Sequence, residues 1–158
     1  MSPLVDIATI DTEAIVVSEE QLRDVLPHDH EFRLVDKICH LDTENDLAVG
    51  IKDWDSDPWW AKGHIPGRPL MPGVLMVEGS AQVATVLMKC KRDGWNPEQF
   101  IGLGGIDKAR FRRTVVPNSR VYFAASVLKQ SRKIARFQTQ CIQDGEVVMD
   151  MELVGVLL

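Results

Sequence analysis

The stretch from His64 to Leu87 constrains the fold more than any other part of the chain. Its first part is stiff, because three prolines precede Gly73 at intervals of three residues. From Gly73 to Met88 nearly every residue is apolar, and a helix that is apolar on all sides must be enclosed by protein or lipid. Such a helix spans only about 24 Å at ~1.5 Å per residue, which is short for a bilayer, and Glu78 interrupts it. The stretch therefore predicts a buried core helix with one carboxylate in its middle.

The carboxylate of Glu78 needs a physical explanation in such a helix. Burying an unpaired charge is costly, so the group pairs with Lys or Arg, reaches solvent or takes up a proton. A glutamic acid that stays protonated near neutral pH is a competent general acid. A structural ion pair and a catalytic acid both remain open at this point.

The approach to the helix carries two further features, the Pro72-Gly73 start and His64. Free N–H groups at a helix start favour negative charge and can form an oxyanion hole. An ordinary helix start without a function would have the same sequence pattern. His64, with a reference pKa of ~6.5, is either a general base or a structural residue. Because the prolines stiffen the link, we expect His64 to be held away from the Glu78 of its own helix. The two would then meet only across a subunit boundary, which favours a homodimer.

Length and composition narrow the classes of protein that remain. The 158 residues suffice for one domain, which we place at residues 18–158, behind an extended arm or disordered tail at residues 1–17. The formal net charge of −5 argues against a general nucleic-acid-binding protein. No segment resembles a secretory signal or is long enough to span a bilayer. The odd number and wide spacing of the cysteines predict buried thiols in a reducing compartment, which implies a cytoplasmic protein: they are Cys39, Cys90 and Cys141.

Local patterns predict an α+β domain in the order helix, two strands, long helix, four strands. A capping box at Ser18–Gln21 predicts a short helix that runs to about Leu26. Asp144-Gly145 predicts a tight hairpin, and residues 93–97 are expected to form a loop. A long antiparallel sheet curled around the buried helix fits this order. We expect its strands at residues 33–41, 46–54, 99–112, 119–129, 132–143 and 146–157.

The sequence around the buried helix resembles the active-site signature of a known enzyme family. The run HIPGRPLMPGVLMVEGSAQ, from His64 to Gln82, is similar to that of the 3-hydroxyacyl-[acyl-carrier-protein] dehydratases, which are hot-dog-fold enzymes of fatty-acid biosynthesis. The resemblance covers about residues 18–157 and implies a hot-dog fold, in which a curled antiparallel sheet wraps around one long central helix. Two further parts of the chain resemble the same family. They are Leu26–His28 followed by Leu34–Lys37, and Gly105–Arg113 followed by Val115–Pro117.

The resemblance also implies a reaction and the residues that perform it. A (3R)-3-hydroxyacyl thioester on the phosphopantetheine of an acyl carrier protein would lose water to give the trans-2-enoyl thioester. By this analogy His64 is the base, Glu78 of the other subunit is the acid, and the N–H groups of Gly73 and Val74 polarise the thioester carbonyl. Gln82, one turn after Glu78, either orients Glu78 or the water or makes a plain core hydrogen bond. Acid, base and oxyanion donors suffice for this chemistry, so we expect no metal and no cofactor.

The residues that shape the substrate pocket are harder to assign. Adjacent large aromatics, Trp59 and Trp60, precede the His64 loop. They are expected either to wall an acyl tunnel, together with Ile65 and Met71, or to divide between the core and an interface. Upstream, His28-Asp29-His30 lacks further metal ligands at a convincing spacing, and the resemblance makes His28 part of a structural loop.

A cluster of basic residues stands out on this acidic chain, comprising Lys108, Arg110, Arg112 and Arg113. In a regular strand the alternate residues Lys108, Arg110 and Arg112 share one face. The cluster is either a solvated edge that prevents aggregation or a docking patch for an acidic acyl carrier protein and its phosphopantetheine phosphate.

Two other functions remain open beside the dehydratase. A hot-dog thioesterase would reuse the fold and the helix-start oxyanion site, and a non-catalytic paralogue would only bind the acyl carrier. The presence of both His64 and Glu78 at the spacing of the dehydratases favours that enzyme. Relatives often form hexamers, so a trimer of dimers is a further expectation beyond the homodimer.

Overall fold

An antiparallel sheet and one long helix contain most of the chain. The computed structural model describes residues 2–92, 96 and 98–158. The helices are α1 (Glu19–Val25) and α2 (Gly73–Arg92), with short 3₁₀ turns at Ile7–Thr9 and His30–Phe32. The strands are β1 (Lys37–Asp42), β2 (Leu47–Trp54), β3 (Ile101–Phe111), β4 (Ser119–Gln130), β5 (Ile134–Gln143) and β6 (Glu146–Leu157). They form one sheet in the order β1-β2-β4-β5-β6-β3, and each neighbouring pair is antiparallel.

Helix α2 is enclosed by the sheet, as its apolar sequence requires. It contacts β2, β3, β4, β5 and β6, and its inner face is part of the main hydrophobic core. Glycine permits the closest approach: a Cβ added at Gly79 would lie 2.4 Å from the ring of Phe123 on β4. Gly50 on β2 allows the same approach from the strand side, since a Cβ there would lie 2.6 Å from Val83 of α2. The prediction of a buried central helix is confirmed.

The opposite face of the sheet is covered by the N-terminal arm. Val5 is buried there, and Leu4, Ile7 and Ile10 are partly buried. They pack in a second hydrophobic cluster with residues of β1, β2, β4, β5 and β6, namely Cys39, Val49, Ile51, Ala124, Ile142 and Val147. The arm is also held by a 2.6 Å hydrogen bond from the Leu4 N–H to the Gln140 side chain. In the structure this segment thus packs against the sheet as an arm.

Most predicted elements are present, with changes at their ends. The capping box of Ser18 and Gln21 is formed at the start of α1. Asp144 and Gly145 have φ values of 51° and 76°, as the tight hairpin requires. The first predicted strand, residues 33–41, begins only at Lys37, because a 3₁₀ turn and an extended link precede it. The predicted loop at residues 93–97 lies outside the described residues except for Asn96. Within the described residues, no helix is long and apolar enough to cross a membrane.

Candidate active site

His64 lines a cavity at the start of α2. Its backbone N–H donates to the carbonyl of Trp60 at 2.9 Å, and its ring Nδ1 lies 2.7 Å from the carbonyl oxygen of Leu70. Because a carbonyl oxygen only accepts, Nδ1 carries the proton and Nε2 keeps its lone pair. The loop therefore fixes the imidazole in the tautomer that a general base needs. The cavity has a volume of about 370 Å³ and is lined by His64, Leu70, Met71, Gly73, Val74, Met76, Phe111, Arg113 and Thr114.

The first turn of α2 presents unpaired N–H groups to the same cavity. Gly73 is the first residue of the helix, and the N–H of Leu75 already donates to the carbonyl of Pro72. Within the described part of the chain, the N–H groups of Gly73 and Val74 make no hydrogen bond. A Cβ at Gly73 would lie 2.7 Å from the half-exposed ring of Phe111, so any larger residue there would displace that ring. The helix start thus combines two free donors with the positive end of the helix dipole.

Glu78 lies in the second turn of α2, with about a quarter of its side chain exposed. Its Oε1 atom lies 2.9 Å from Nε2 of His28 and accepts a second hydrogen bond, also 2.9 Å, from Nε2 of Gln82. The hydrogen bond from His28 lowers the pKa of Glu78, and the Gln82 amide acts in the same direction, while burial opposes them. In the single chain Glu78 is therefore paired and ionised at neutral pH, so the idea of a carboxyl group kept protonated by its apolar helix does not hold there. The partner is an imidazole, not the Lys or Arg that the sequence suggested.

Gln82 contacts Glu78, which was one of the alternatives left open for it. Its side chain is almost fully buried. The amide nitrogen donates to Glu78 and, at 2.6 Å, to the carbonyl of Phe32, while its oxygen accepts from the N–H of Leu34 at 3.1 Å. Gln82 therefore connects the acidic side chain to the segment that leads into β1.

His28 was missed as a site residue by the sequence analysis. It is not only part of a structural loop, because its ring contacts Glu78 and lines the same cavity. The contact joins residues 50 positions apart, and nothing in the local pattern of Leu26-Pro27-His28 indicates it. The Glu78 cavity is smaller than the His64 cavity, about 80 Å³, and its lining comes from α2, the His28 loop, β3, β5 and β6.

His64 and Glu78 line two separate cavities of the single chain, and these cavities share no lining residue. Both reach the edge strand β3, at its opposite ends. The Glu78 cavity includes Ile101 and Leu103, and the His64 cavity includes Phe111. Residues of one chain thus supply the two halves of the predicted acid–base pair without bringing them together.

The four predicted tunnel residues lie in different environments. Met71 is buried and lines the His64 cavity, whereas Ile65 is about half exposed. Trp60 is a core residue, with its ring 5.6 Å from that of Trp54 in an edge-to-face contact, and Trp59 is about half exposed on the surface. Neither tryptophan lines the His64 or Glu78 cavity. In the single chain the pair thus divides between core and surface, which was the second alternative, and a tunnel-wall role for either tryptophan stays a prediction.

The basic cluster does not have the single face that strand alternation predicts. A β-bulge interrupts β3 between Asp107 and Arg110, and Lys108 adopts a φ of 55°, so the alternation is lost; Arg112 follows the end of the strand. Acidic residues of β6 neutralise most of the cluster: Lys108 pairs with Glu152, Arg112 with Asp150 and Arg113 with Glu146. Among the described residues, no carboxylate pairs with Arg110, whose guanidinium donates to the carbonyl of Ala109.

Comparison with known proteins identifies close relatives by sequence. A FabA-like domain matches residues 26–152. A protein of Sinorhizobium fredii is 37% identical over 140 residues, covering 89% of this chain and 88% of the relative. A protein of Bacillus pumilus is 37% identical over 139 residues, covering 87% and 94%, and one of Sinorhizobium medicae is 35% identical over 139 residues, covering 88% of each. All three are named 3-hydroxyacyl-[acyl-carrier-protein] dehydratase FabZ.

Solved structures with a similar fold are more distant in sequence. A dehydratase heterocomplex from Xenorhabdus doucetiae superposes with a TM-score of 0.71 at 16% identity, covering 87% of this chain and 90% of that chain. A mutant thioesterase from Pseudomonas aeruginosa gives 0.66 at 16% identity, covering 90% and 96%. At this level of identity the likeness shows the fold alone. The curled antiparallel sheet around one helix is the hot-dog fold, so that prediction is confirmed.

Proposed function

The chain belongs to the FabA-like family as a 3-hydroxyacyl-[acyl-carrier-protein] dehydratase, and we propose that His64 and the Glu78 of a second copy perform its reaction. Water leaves a (3R)-3-hydroxyacyl thioester, and the product is the trans-2-enoyl thioester of fatty-acid biosynthesis. The observation that supports this assignment best is that base, oxyanion donors and acid all border the edge strand β3.

In the proposed reaction His64 removes the proton next to the thioester carbonyl. The hydrogen bond from Nδ1 to the Leu70 carbonyl leaves the lone pair of Nε2 available for that proton. As the proton leaves, negative charge develops on the thioester oxygen. The free N–H groups of Gly73 and Val74, in the same cavity as His64, stabilise that charge.

A homodimer formed along β3 completes the site. β3 is an edge strand and exposes Leu103, Ile106 and Phe111. Its free edge is therefore available to pair with another strand. Antiparallel pairing with its own copy about a twofold axis sets the Phe111 end of one strand against the Ile101 end of the other. The His64 cavity of one subunit then faces the Glu78 cavity of its neighbour. This arrangement follows from the edge strand and from the positions of the two cavities on it.

Glu78 protonates the departing hydroxyl group, which leaves as water. The carboxyl group must gain a proton for this step, although its pKa is lowered in the single chain. Bound substrate excludes water from the site, and burial raises the pKa of a carboxyl group. We therefore expect Glu78 to take up its proton as the site is closed.

The acyl carrier protein is the proposed macromolecular partner. Of the four residues in the basic cluster, Arg110 is the one whose charge is not neutralised by β6, so it is the best probe of docking. Arg110→Glu should raise KM for a carrier-bound substrate more than for a short thioester mimic. Lys129→Glu, an exposed substitution on β4, which β5 and β6 separate from β3, is the matched control. Equal effects of Arg110→Glu on both substrates would reject docking there.

The reaction is tested most simply in the reverse direction. We expect the protein to hydrate crotonyl and longer trans-2-enoyl thioesters, which is followed by the loss of enoyl absorbance, and to dehydrate the (3R)-3-hydroxyacyl thioesters. Comparing chain lengths also identifies the preferred substrate. Release of free thiol from either substrate, without interconversion of the two, would indicate a thioesterase instead.

A further inference from the structure

His28 lies outside the proposed acid–base pair, but its contact with Glu78 suggests a role for it. The two side chains come from the same subunit, and both are about three-quarters buried. Within the described residues, they are the only titratable side chains that line the smaller cavity; Gln82 is the other polar group bonded to the carboxylate. Any influence on the protonation of Glu78 from within its own subunit therefore comes mainly from this imidazole.

The two hydrogen bonds to Glu78 fall on the same oxygen atom. Nε2 of His28 and Nε2 of Gln82 both lie 2.9 Å from Oε1, and an amide nitrogen can only donate. No described residue forms a hydrogen bond with Oε2. A proton on the carboxyl group therefore occupies Oε2, because Oε1 is already engaged with two donors.

The two nitrogen atoms of the His28 ring have different surroundings. Nδ1 of His28 is buried and has no hydrogen-bond partner among the described residues. A proton on Nδ1 would be a buried donor without an acceptor, which costs free energy. With its single proton on Nε2, the ring donates to Glu78 and leaves only a lone pair unpaired.

We propose that His28 is a positioning residue for the general acid: its Nε2–H group holds Oε1 of Glu78, so that Oε2 carries the proton delivered to the leaving hydroxyl. This inference rests on the proposed function, in which Glu78 is the acid. In this role His28 acts through Glu78, as a hydrogen-bond donor. The alternative is a relay in which an imidazolium form of His28 supplies the proton to Glu78.

Two substitutions at position 28 separate a donor from a relay. His28→Gln keeps an N–H donor that does not titrate, whereas His28→Ala removes the donor. The proposal predicts that His28→Gln retains kcat within about threefold of wild type, while His28→Ala lowers kcat on the order of 10- to 100-fold and changes KM less. His30→Asn, a change in the same loop at an exposed histidine, is the control and should leave kcat unaltered. A His28→Gln variant as slow as His28→Ala would overturn the donor role in favour of the relay.

The pH profile of kcat distinguishes this role from a purely structural one, because loss of a purely structural residue would not shift the profile. Glu78 must be protonated to act, and the His28 N–H stabilises its ionised form, so loss of the donor raises the pKa of Glu78. The alkaline limb of the kcat profile should therefore shift to higher pH in His28→Ala and stay near that of wild type in His28→Gln. In the Glu78→Gln background, His28→Ala should cause little further loss of rate. A full additional loss in that background would overturn the proposal, since His28 would then act independently of Glu78.

A measurement without catalysis separates this proposal from the proposed function. The pKa of the Glu78 carboxyl can be followed by carbon NMR in the intact wild-type and variant proteins, with thermal unfolding as a check of folding. A higher pKa in folded His28→Ala, but not in His28→Gln, supports the positioning contact. An unchanged pKa in folded His28→Ala overturns it. If the pKa rises but wild-type protein does not interconvert the thioesters, the contact stands and the dehydratase assignment falls instead.

Discussion

At the scale of single residues, the proposed mechanism divides the chemistry between the imidazole of His64 and the carboxyl group of Glu78, and each side chain is held in place by contacts within its own chain. His64 is held by the carbonyl of Leu70, and Glu78 is held by His28 and Gln82. Each side chain is therefore oriented before the substrate arrives, which lowers the cost of reaching the transition state.

Removing either group should abolish most of the activity without unfolding the protein. His64→Ala and Glu78→Ala are each expected to lower kcat by about 10²–10⁴-fold, which is the usual contribution of acid–base catalysis. Steady-state hydration of an enoyl thioester provides the measurement. Glu20→Ala, on the exposed side of α1, is the control. Near-normal turnover in either active-site variant would remove that residue from the mechanism.

The ionised Glu78 also predicts how stability depends on pH. Its pKa is lower in the folded chain than the ordinary value of 4.5, so its ionised form contributes stability that is fully present above about pH 4.5. That contribution is lost as the pH falls through the lowered pKa. In urea titrations, the stability difference between wild type and Glu78→Gln should therefore shrink below about pH 4.5. A difference that grows on acidification would contradict the assigned direction of the shift.

At the scale of elements, the close contact between α2 and β4 depends on Gly79. Gly79→Ala places a Cβ within 2.4 Å of the Phe123 ring, and overpacking of this kind costs about 1–3 kcal/mol. The higher helix propensity of alanine offsets up to ~1 kcal/mol of that. We expect a net loss of up to about 2 kcal/mol in urea unfolding. Gly63→Ala is the control, because no atom lies within 4 Å of the new methyl group; equal stability in both variants would contradict the packing argument.

The N-terminal arm makes a second prediction at this scale. Deletion of residues 2–12 would expose the apolar cluster on the outer face of the sheet, which includes Val49, Ile51 and Ala124. We expect a lower Tm, binding of a hydrophobic dye and concentration-dependent self-association. A full-length variant with Ser at positions 4, 5 and 7 keeps the arm but not its apolar contacts, and should behave in the same way. An unchanged Tm with no dye binding would mean that the arm does not protect this face.

At the scale of the whole molecule, the sequence is informative where local chemistry decides the structure. The apolar run of α2, the Ser18 capping box and the Asp144-Gly145 turn each follow from residues that are close in the chain. The contact of His28 with Glu78 and the bulge at Lys108 could not be predicted in this way. Each of these features depends on how elements that are distant in sequence pack together. Such packing overrides the alternation of side chains along a strand and any expectation based on sequence neighbours.

The same distinction explains what the sequence reveals about the site. The proline-rich link made it possible to infer that His64 and Glu78 do not meet within one chain, and the structure has them in separate cavities. The partner of Glu78 was not predictable, because the segment that carries His28 is brought to α2 only by the fold, through Gln82 and the backbone at Phe32 and Leu34.

The central claim is that one active site requires two chains, and subunit exchange tests it most directly. His64→Ala and Glu78→Ala proteins, each inactive alone, are mixed under conditions that allow subunits to exchange, and hydration of an enoyl thioester is measured. A mixed dimer contains one site with an intact His64 and an intact Glu78, so activity should recover to about a quarter of wild type when exchange is random. If mixing restores no activity although exchange is demonstrated, base and acid do not come from different subunits, and the account is wrong.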